Sequence, residues 1–462
     1  MSAKRSDALL HKRENGYRSL SAEEKAAMNA YCEEYKTFLD KSRTEREAVR
    51  YTVQLAEARG YRPYHRGDAL KPGDKIYRVN RDKAVMLAVM GTEPLDKGVN
   101  IGAAHIDAPR LDLKPNPLIE DSEFALLKTH YYGGIRKYHW VSIPLSLRGV
   151  VVKRDGTKVD VVIGGEPGDP LLTIPDLLPH LADKQAKEPL WQAIKGEDLN
   201  ILVGSEPYPD PDEKDAVKLM VLDILNQKYG MVEEDFLSAE LCAVPAYPVA
   251  DVGLDRSMIG SYGQDDRVCS FAALQGLFDA EETLKRTGVC MLVDKEEIGS
   301  EGVSGMQSWA FDTFLSDLCD ATGASLKSCY EHSFCLSADV TAAYDPNFAE
   351  VYEKHNAARL NRGVGLCKYT GARGKSGASD ASAEVVGYVR KLFNDNGILW
   401  QLSEMGKVDV GGGGTVALYM ANRNIDTIDA GTPVLAMHSP FEVTGKLDCY
   451  MTYRSMKAVF EA

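Results

Sequence analysis

The chain has 462 residues, 44% hydrophobic and 26% charged, an ordinary globular composition with length enough for about two or three domains. Its formal net charge of −14 argues against nucleic acid as a main partner, because phosphate binding relies on a basic footprint. No run reaches the ~18 consecutive apolar residues of a membrane span. The basic start "MSAKRSDALLHKRENG" lacks the apolar core of a signal peptide, and nine scattered cysteines form no Cys-x-x-Cys. A soluble, cytoplasmic protein with packed, reduced thiols is the expectation, with no membrane and no nucleic-acid partner.

In chain order, Ser21 with Glu24 three residues later fits a helix-opening capping box. Met28, Tyr31, Cys32, Tyr35, Phe38 and Leu39 then recur at helical spacing. A second helix is predicted over residues 45–59. The runs "KIYRVN", "AVMLAVM" and "VNIGAAHI" read as strands, the last apolar on both faces as a central strand requires. Between residues 116 and 247 the character changes. Prolines such as Pro117, Pro144, Pro170, Pro175 and Pro179 punctuate it, "VSIPLSLRGVVV" and "KVDVVIGG" read as strands, and a helix is predicted at 214–229. From 248 onward "DRVCSFAALQGLFDAEETLKR" reads as a helix, "GVCMLVD" and "SFCLSADV" as strands. "DASAEVVGYVRKLFNDNG" is a helix with Gly397 just past its end, and "TPVLAMHS" a final buried strand. Such alternation predicts an α/β fold: a mixed, largely parallel sheet flanked by helices, discontinuous over 1–115 and 248–462, with a β-rich insertion at 116–247.

In such sheets ligands bind beyond the carboxyl ends of the strands. Polar residues that follow apolar runs there are His105 and Asp107 after "VNIGAA", Glu296 and Glu297 after "VCMLVD", Asp339 after "SFCLSA" and His438 after "TPVLAM". Asp265 and Asp266 precede a helix. Imidazoles and carboxylates are the donor set for one or two zinc-class divalent ions. Paired ions need a bridging carboxylate, and a metal-activated water needs a base that is not itself a ligand. Adjacent glutamates suit that division, since successive side chains of a tight turn diverge. Asp107, two residues from His105, is placed to fix its tautomer.

The stretches "GAAHIDAPRLDLKP", "GQDDRVCSFAALQGL", "DKEEIGSEGVSG", "LSADVTAAYDPNF", "GASDASAE" and "AMHSP" resemble the successive motifs of the aspartyl-aminopeptidase family of dinuclear zinc aminopeptidases. The "GQDDRVCS" form looks closer to bacterial members. The resemblance implies a zinc-peptidase-type sheet holding two divalent ions per subunit, zinc foremost, with cobalt or manganese as alternatives. It implies His105 and Asp339 as ligands of one ion, Glu297 and His438 of the other, and Asp265 bridging. Glu296 is implied as general base and Asp107 as the residue orienting His105. The choice of Asp265 over Asp266 rests on the resemblance alone. It further implies that the insertion is a dimerisation domain, with dimers assembling into a tetrahedral homododecamer. A histidine of the insertion would reach a neighbouring subunit's active site, which nominates His180 in "IPDLLPHLAD"; an exposed helix histidine is the alternative.

Peptides are the implied substrates. Arg373 and Lys375 in "TGARGKSGASD" are candidates for an acidic first residue. The loop departs from acid-specific members, leaving neutral or apolar residues open. Rival readings are a carboxypeptidase or amide deacylase of the same fold, or a non-catalytic shell-forming protein. Three features are set aside. "GARGKS" would need a glycine at 369, which is Tyr, to be a P-loop. "VGGGGT" lacks the dinucleotide fingerprint and is read as a close backbone approach to substrate or a neighbouring subunit. Cys269 falls on an apolar helix and reads as a packed thiol.

Overall fold

The computed structural model describes Arg5, Leu9, Leu10 and residues 14–166 and 168–462. The reading of the chain's start as free of a signal core therefore falls largely outside the described residues. Two compact units form: one from the chain up to Asp107 with Val249–Met437 and Glu442–Ala462, the other from Ala108–Pro248 with His438–Phe441.

In the first unit, helix α1 (Ala22–Lys41) opens with the Ser21/Glu24 capping box, whose two reciprocal hydrogen bonds measure 3.0 and 3.1 Å. Helix α2 (Glu45–Glu57) opens with a second box from Thr44 and Glu47. The strands are β1 (Arg62–Pro63), β2 (Lys75–Asn80), β3 (Ala84–Val89), β4 (Asn100–His105), β5 (Gly288–Val293), β6 (Phe334–Ser337), β7 (Val364–Cys367), β8 (Trp400–Leu402) and β9 (Asp426–Gly431). They form one sheet in the order β1-β2-β3-β5-β4-β6-β9-β7-β8. The central pairs β5/β4, β4/β6 and β6/β9 are parallel, while β2/β3, β3/β5 and β9/β7 are antiparallel. The mixed α/β expectation holds.

Alternate residues of the central strands enter two different cores. Cys290, Leu292, Ala104 and Leu336 pack with Phe271, Leu274 and Leu277 of α3 (Gln264–Phe278). Val289, Met291, Ile101, Ala103 and Cys335 pack with Phe311, Phe314 and Leu318 of α4 (Ala310–Thr322). Each large side chain buried this way contributes roughly 1.5–3 kcal/mol, which explains why strands apolar on both faces occupy the middle. α3 ends at Phe278, not at Arg286 as its apolar pattern suggests, because the chain turns at Asp279 to bury Leu284 in the same core. Helices α5 (Ala383–Asp395) and α6 (Lys446–Phe460) complete the set used below. The predicted strand in "TPVLAMHS" is Pro433–Leu435, which belongs to a separate five-stranded sheet.

The second unit is a six-stranded antiparallel sheet of Arg110–Asp121, Phe124–Tyr132, Leu145–Val152, Lys158–Ile163, Ile201–Gly204 and Ala239–Pro245, with the helix Ala216–Tyr229. It starts ahead of residue 116 because the strand Arg110–Asp121 already belongs to that sheet at its first residue. All nine cysteines are free, and eight are buried. Among the described residues, no helix is long and apolar enough to cross a membrane.

Candidate metal centre

Parallel pairing brings three strand ends together. β4 and β5 are in register from Gly288 opposite Asn100 to Val293 opposite His105, and β6 reaches Ser337 opposite Ala103. The residues just beyond, Glu296, Glu297 and Asp339, must therefore crowd the end of β4. Around His105 Nε2 lie Asp265 Oδ1 at 3.2 Å, Asp339 Oδ1 at 3.8 Å and Glu296 Oε2 at 3.9 Å. Asp265 and Asp266 sit in the first turn of α3 with non-helical backbone angles and a cis peptide between them. Their side chains serve different partners: Asp266 Oδ2 accepts the His105 backbone N–H at 3.4 Å, while Asp265 faces the imidazole. Glu442, buried and invisible to motif reading, fixes Asp265 by accepting its backbone N–H at 3.0 Å.

Asp107 is fully buried and does two things. His105 Nδ1 lies 3.1 Å from its carbonyl oxygen and 3.3 Å from Oδ1. Its two carboxylate oxygens also accept the backbone N–H groups of Glu296 and Glu297, at 3.1 and 3.2 Å. The second contact has no signature in the sequence, since it links residues far apart along the chain.

Electrostatically the cluster is dominated by carboxylates. Burial, then the neighbouring Asp339 charge, pushes Glu296 up to about 8. Burial pulls the His105 imidazolium down, but Asp107, Asp265 and Asp339 outweigh it and hold the group well above its ordinary value. Burial pushes the Asp266 carboxyl well up too. Without cations such a group must take up protons, since carboxylates crowded in low dielectric cannot all ionise. Two sets of donor atoms could each hold an ion: His105 with Glu296 and Asp339, and His105 with Asp265 and Glu297, the atoms of each set within 4.8 Å of one another. Imidazole plus carboxylates suits a zinc-class ion, and two sets that meet at His105 suit a pair. Each glutamate falls in one set, so distance alone does not divide ligand from base.

The remaining predicted residues have surroundings of their own. His438 belongs to the second unit, where its Nδ1 lies 2.9 Å from Gly134 O. His180 is exposed, in the 3-10 turn Pro179–Leu181 of that unit. Lys375 is exposed, bonded to Asp380 at 3.0 Å, with its Nζ 3.9 Å above the Tyr369 ring; Arg373 is exposed in the same loop. The glycine run approaches the chain's own backbone: a Cβ on Gly412 would lie 2.1 Å from Gly371 O, and one on Gly411 1.8 Å from Met405 O. Cys269 is buried, and burial pushes its thiol up, as for a packed residue.

Residues 38–460 match the family described as Aminopeptidase I zinc metalloprotease (M18). The chain belongs to this family. It is 45% identical over 457 residues to the probable M18 family aminopeptidase 1 of Borrelia garinii subsp. bavariensis, covering 97% of this chain and 100% of that protein. It superposes on the crystal structure of the M18 aminopeptidase from Thermotoga maritima with a TM-score of 0.94 at 44% identity, covering 98% of this chain and 100% of that one. The S. cerevisiae mApe1 dodecamer shares the fold at a TM-score of 0.77 and 22% identity, covering 94% and 97%. As an M18 enzyme the chain is a metallo-aminopeptidase with a dinuclear metal site, which sets aside the carboxypeptidase, deacylase and shell-protein readings.

Proposed function

We propose that the chain releases the first residue of peptides at a pair of zinc ions, with Glu296 as general base. In this reading His105 and Asp339 would hold one ion and Glu297 and His438 the other, with Asp265 serving both. Divalent ions held there would supply Lewis acidity to the attacking water and to the scissile carbonyl. Glu296 Oε2 takes the proton of the attacking water and passes it to the leaving amine. Asp107 keeps the His105 ring and both glutamates oriented, and Glu442 keeps Asp265 facing inward. The observation that carries the reading is the convergence of His105, Asp265, Glu296, Glu297 and Asp339 on a buried cluster with excess negative charge.

Lys375 is already bonded to Asp380, which supports neutral or apolar first residues over acidic ones. We further propose a homo-oligomer in which the second unit pairs subunits and dimers build a tetrahedral dodecamer, His180 reaching a neighbour's site. Exposed Leu177, Leu178 and Leu181 around His180, with Leu190 and Trp191 beyond, support a buried contact there. The test is Glu296→Gln. Metal content and assembly stay normal while turnover falls by roughly 10²–10⁴-fold; turnover near wild type removes Glu296 from the role. Rates on Glu-, Ala- and Leu-arylamides, with free and blocked amines, read out specificity.

A further inference from the structure

The turn carrying Glu296 and Glu297 is held at both ends. Asp107 takes its first two amides. At the other end Gly299, with φ of +98°, closes the turn by donating its N–H to Glu296 O at 2.9 Å. The Gly299 carbonyl then accepts two side-chain hydrogen bonds, from Gln307 Nε2 at 2.9 Å and from the Tyr419 hydroxyl at 3.2 Å. Gln307 Nε2 also donates to the Tyr419 hydroxyl at 3.3 Å, so the three groups form a closed triangle.

Tyr419 arrives from far along the chain, on the short helix Ala417–Ala421 that follows the glycine run. Arg423 pins that helix: Nη1 donates to Tyr419 O at 2.9 Å, and Nη2 donates to Met306 O at 3.2 Å and Ser308 O at 3.3 Å, on either side of Gln307. The same guanidinium grips Asp312 at 2.9 and 2.7 Å. Before the helix, Thr415 Oγ1 donates to buried Asp429 at 3.0 Å, and Asp429 accepts from Ser337 Oγ at 2.7 Å, two residues ahead of Asp339. A chain of bonds thus joins the Asp339 strand to the Glu296 turn without passing through His105. A lone tyrosine on a loop carbonyl would mean little. Two side chains meeting on the one carbonyl that ends the diglutamate turn, with an arginine fixing both, mean more.

We propose that Tyr419 and Gln307 are positioning residues for the hydrolysis, holding the Gly299 peptide so that Glu296 and Glu297 keep their separate directions. This rests on the roles given to the two glutamates above. Neither side chain need touch substrate or metal.

The test compares Tyr419→Phe, Gln307→Leu and the double variant in the full chain, beside Glu296→Gln. Tyr453→Phe serves as control, since its hydroxyl donates to Asp279 at 2.9 Å with no link to the turn. Each single variant loses only a few-fold in kcat, because the other donor still holds the carbonyl. The double variant loses roughly ten- to a hundredfold in kcat, the cost of a misplacement near 1 Å. KM stays within about twofold, as for a group acting only in the transition state. Its kcat–pH profile shifts on the acid limb, metal content is unchanged, and amides 296–300 exchange faster in the metal-free protein. A double variant with wild-type kcat, pH profile and exchange, beside an inactive Glu296→Gln, overturns this proposal alone. So does a kcat loss matched by Tyr453→Phe or explained by lost metal. An active Glu296→Gln overturns the base assignment, and this proposal with it.

Discussion

Two buried aspartates, one in each unit, show how differently the units use the same residue. Asp235 in the second unit accepts the backbone N–H groups of Arg154 and Val232, both at 2.8 Å, and so closes loops. Asp265 in the first faces an imidazole and helps form an anionic cluster with no lysine or arginine among its ion-holding groups. The second unit also contains an apolar cavity of about 390 Å³ among Leu127, Leu147, Val161, Leu172, Leu225 and Leu241. Apolar volume alone does not mark the chemistry; a surplus of donors does. The contrast is broken most directly by substitution. Asp265→Asn should strip metal and lower turnover by at least ~10²-fold, more than the loss of an outer partner. Asp235→Asn should instead cost about 1–3 kcal/mol of stability, with metal content per folded subunit unchanged. Metal analysis with thermal denaturation distinguishes the two, and equal metal loss in both would erase the difference.

Packing gives a second contrast. Leu336 on β6 is fully buried between a helical layer and neighbouring strands, while Leu171 in the second unit is 61% exposed. Leu336→Ala should cost about 2–5 kcal/mol. Leu171→Ala should change the stability of the isolated fold by less than about 0.5 kcal/mol. Denaturant unfolding measures both. A large cost at Leu171 would show that assembly covers it, a result that supports the proposed subunit contact.

Legibility followed the same divide. The runs "KIYRVN", "VNIGAAHI" and "GVCMLVD" placed β2, β4 and β5 within a residue or so of their ends, the last two because they are apolar on both faces. Site residues beyond those ends were legible because a charge after a buried strand needs a reason. What partners them was not. Glu442 to Asp265, Asp107 to the two glutamate amides and Tyr419 to Gly299 all depend on tertiary contacts without local pattern. In the second unit the strands Arg110–Asp121 and Phe124–Tyr132 escaped notice, since one face is wet and Pro115 and Pro117 interrupt the first. The approach of the glycine run to the chain's own backbone at residues 371–372 and 405 likewise has no local pattern behind it.

A third prediction concerns pH. In the metal-free protein both Glu296, at about 8, and His105, well above its usual value, bind protons more tightly folded than unfolded. The sign follows: their contribution to stability is complete below the unfolded values and fades as pH rises through the folded ones. The chelator-treated protein should therefore lose melting temperature progressively from the ordinary glutamate value of 4.5 up to about pH 8, the Glu296 value, and the metal-loaded protein should not. Metal uptake should release protons, and affinity should rise with pH. Titration in buffers of different ionisation enthalpy counts them. A melting profile that is flat for both forms would mean that the cluster carries less negative charge than its geometry implies.

The smallest effect belongs to the proline that hid a strand. Pro115 is exposed, and pairing with Phe124–Tyr132 shifts register between Leu113 and Leu118, so it lies where the ladder is already interrupted. A proline removes a backbone donor, which is costly inside a ladder and harmless at a bulge. Pro115→Ala should restore no hydrogen bond and should destabilise by no more than about 1 kcal/mol, through added freedom of the unfolded chain. The same logic forbids the reverse change one strand away: Ala243→Pro, in the middle of Ala239–Pro245 between two paired neighbours, should abolish folding of the second unit. Circular dichroism and urea titration of the pair decide it. If Pro115→Ala stabilised the protein by a kilocalorie or more, the bulge would be strained by its proline, and the strand would owe its irregularity to that residue instead of accommodating it.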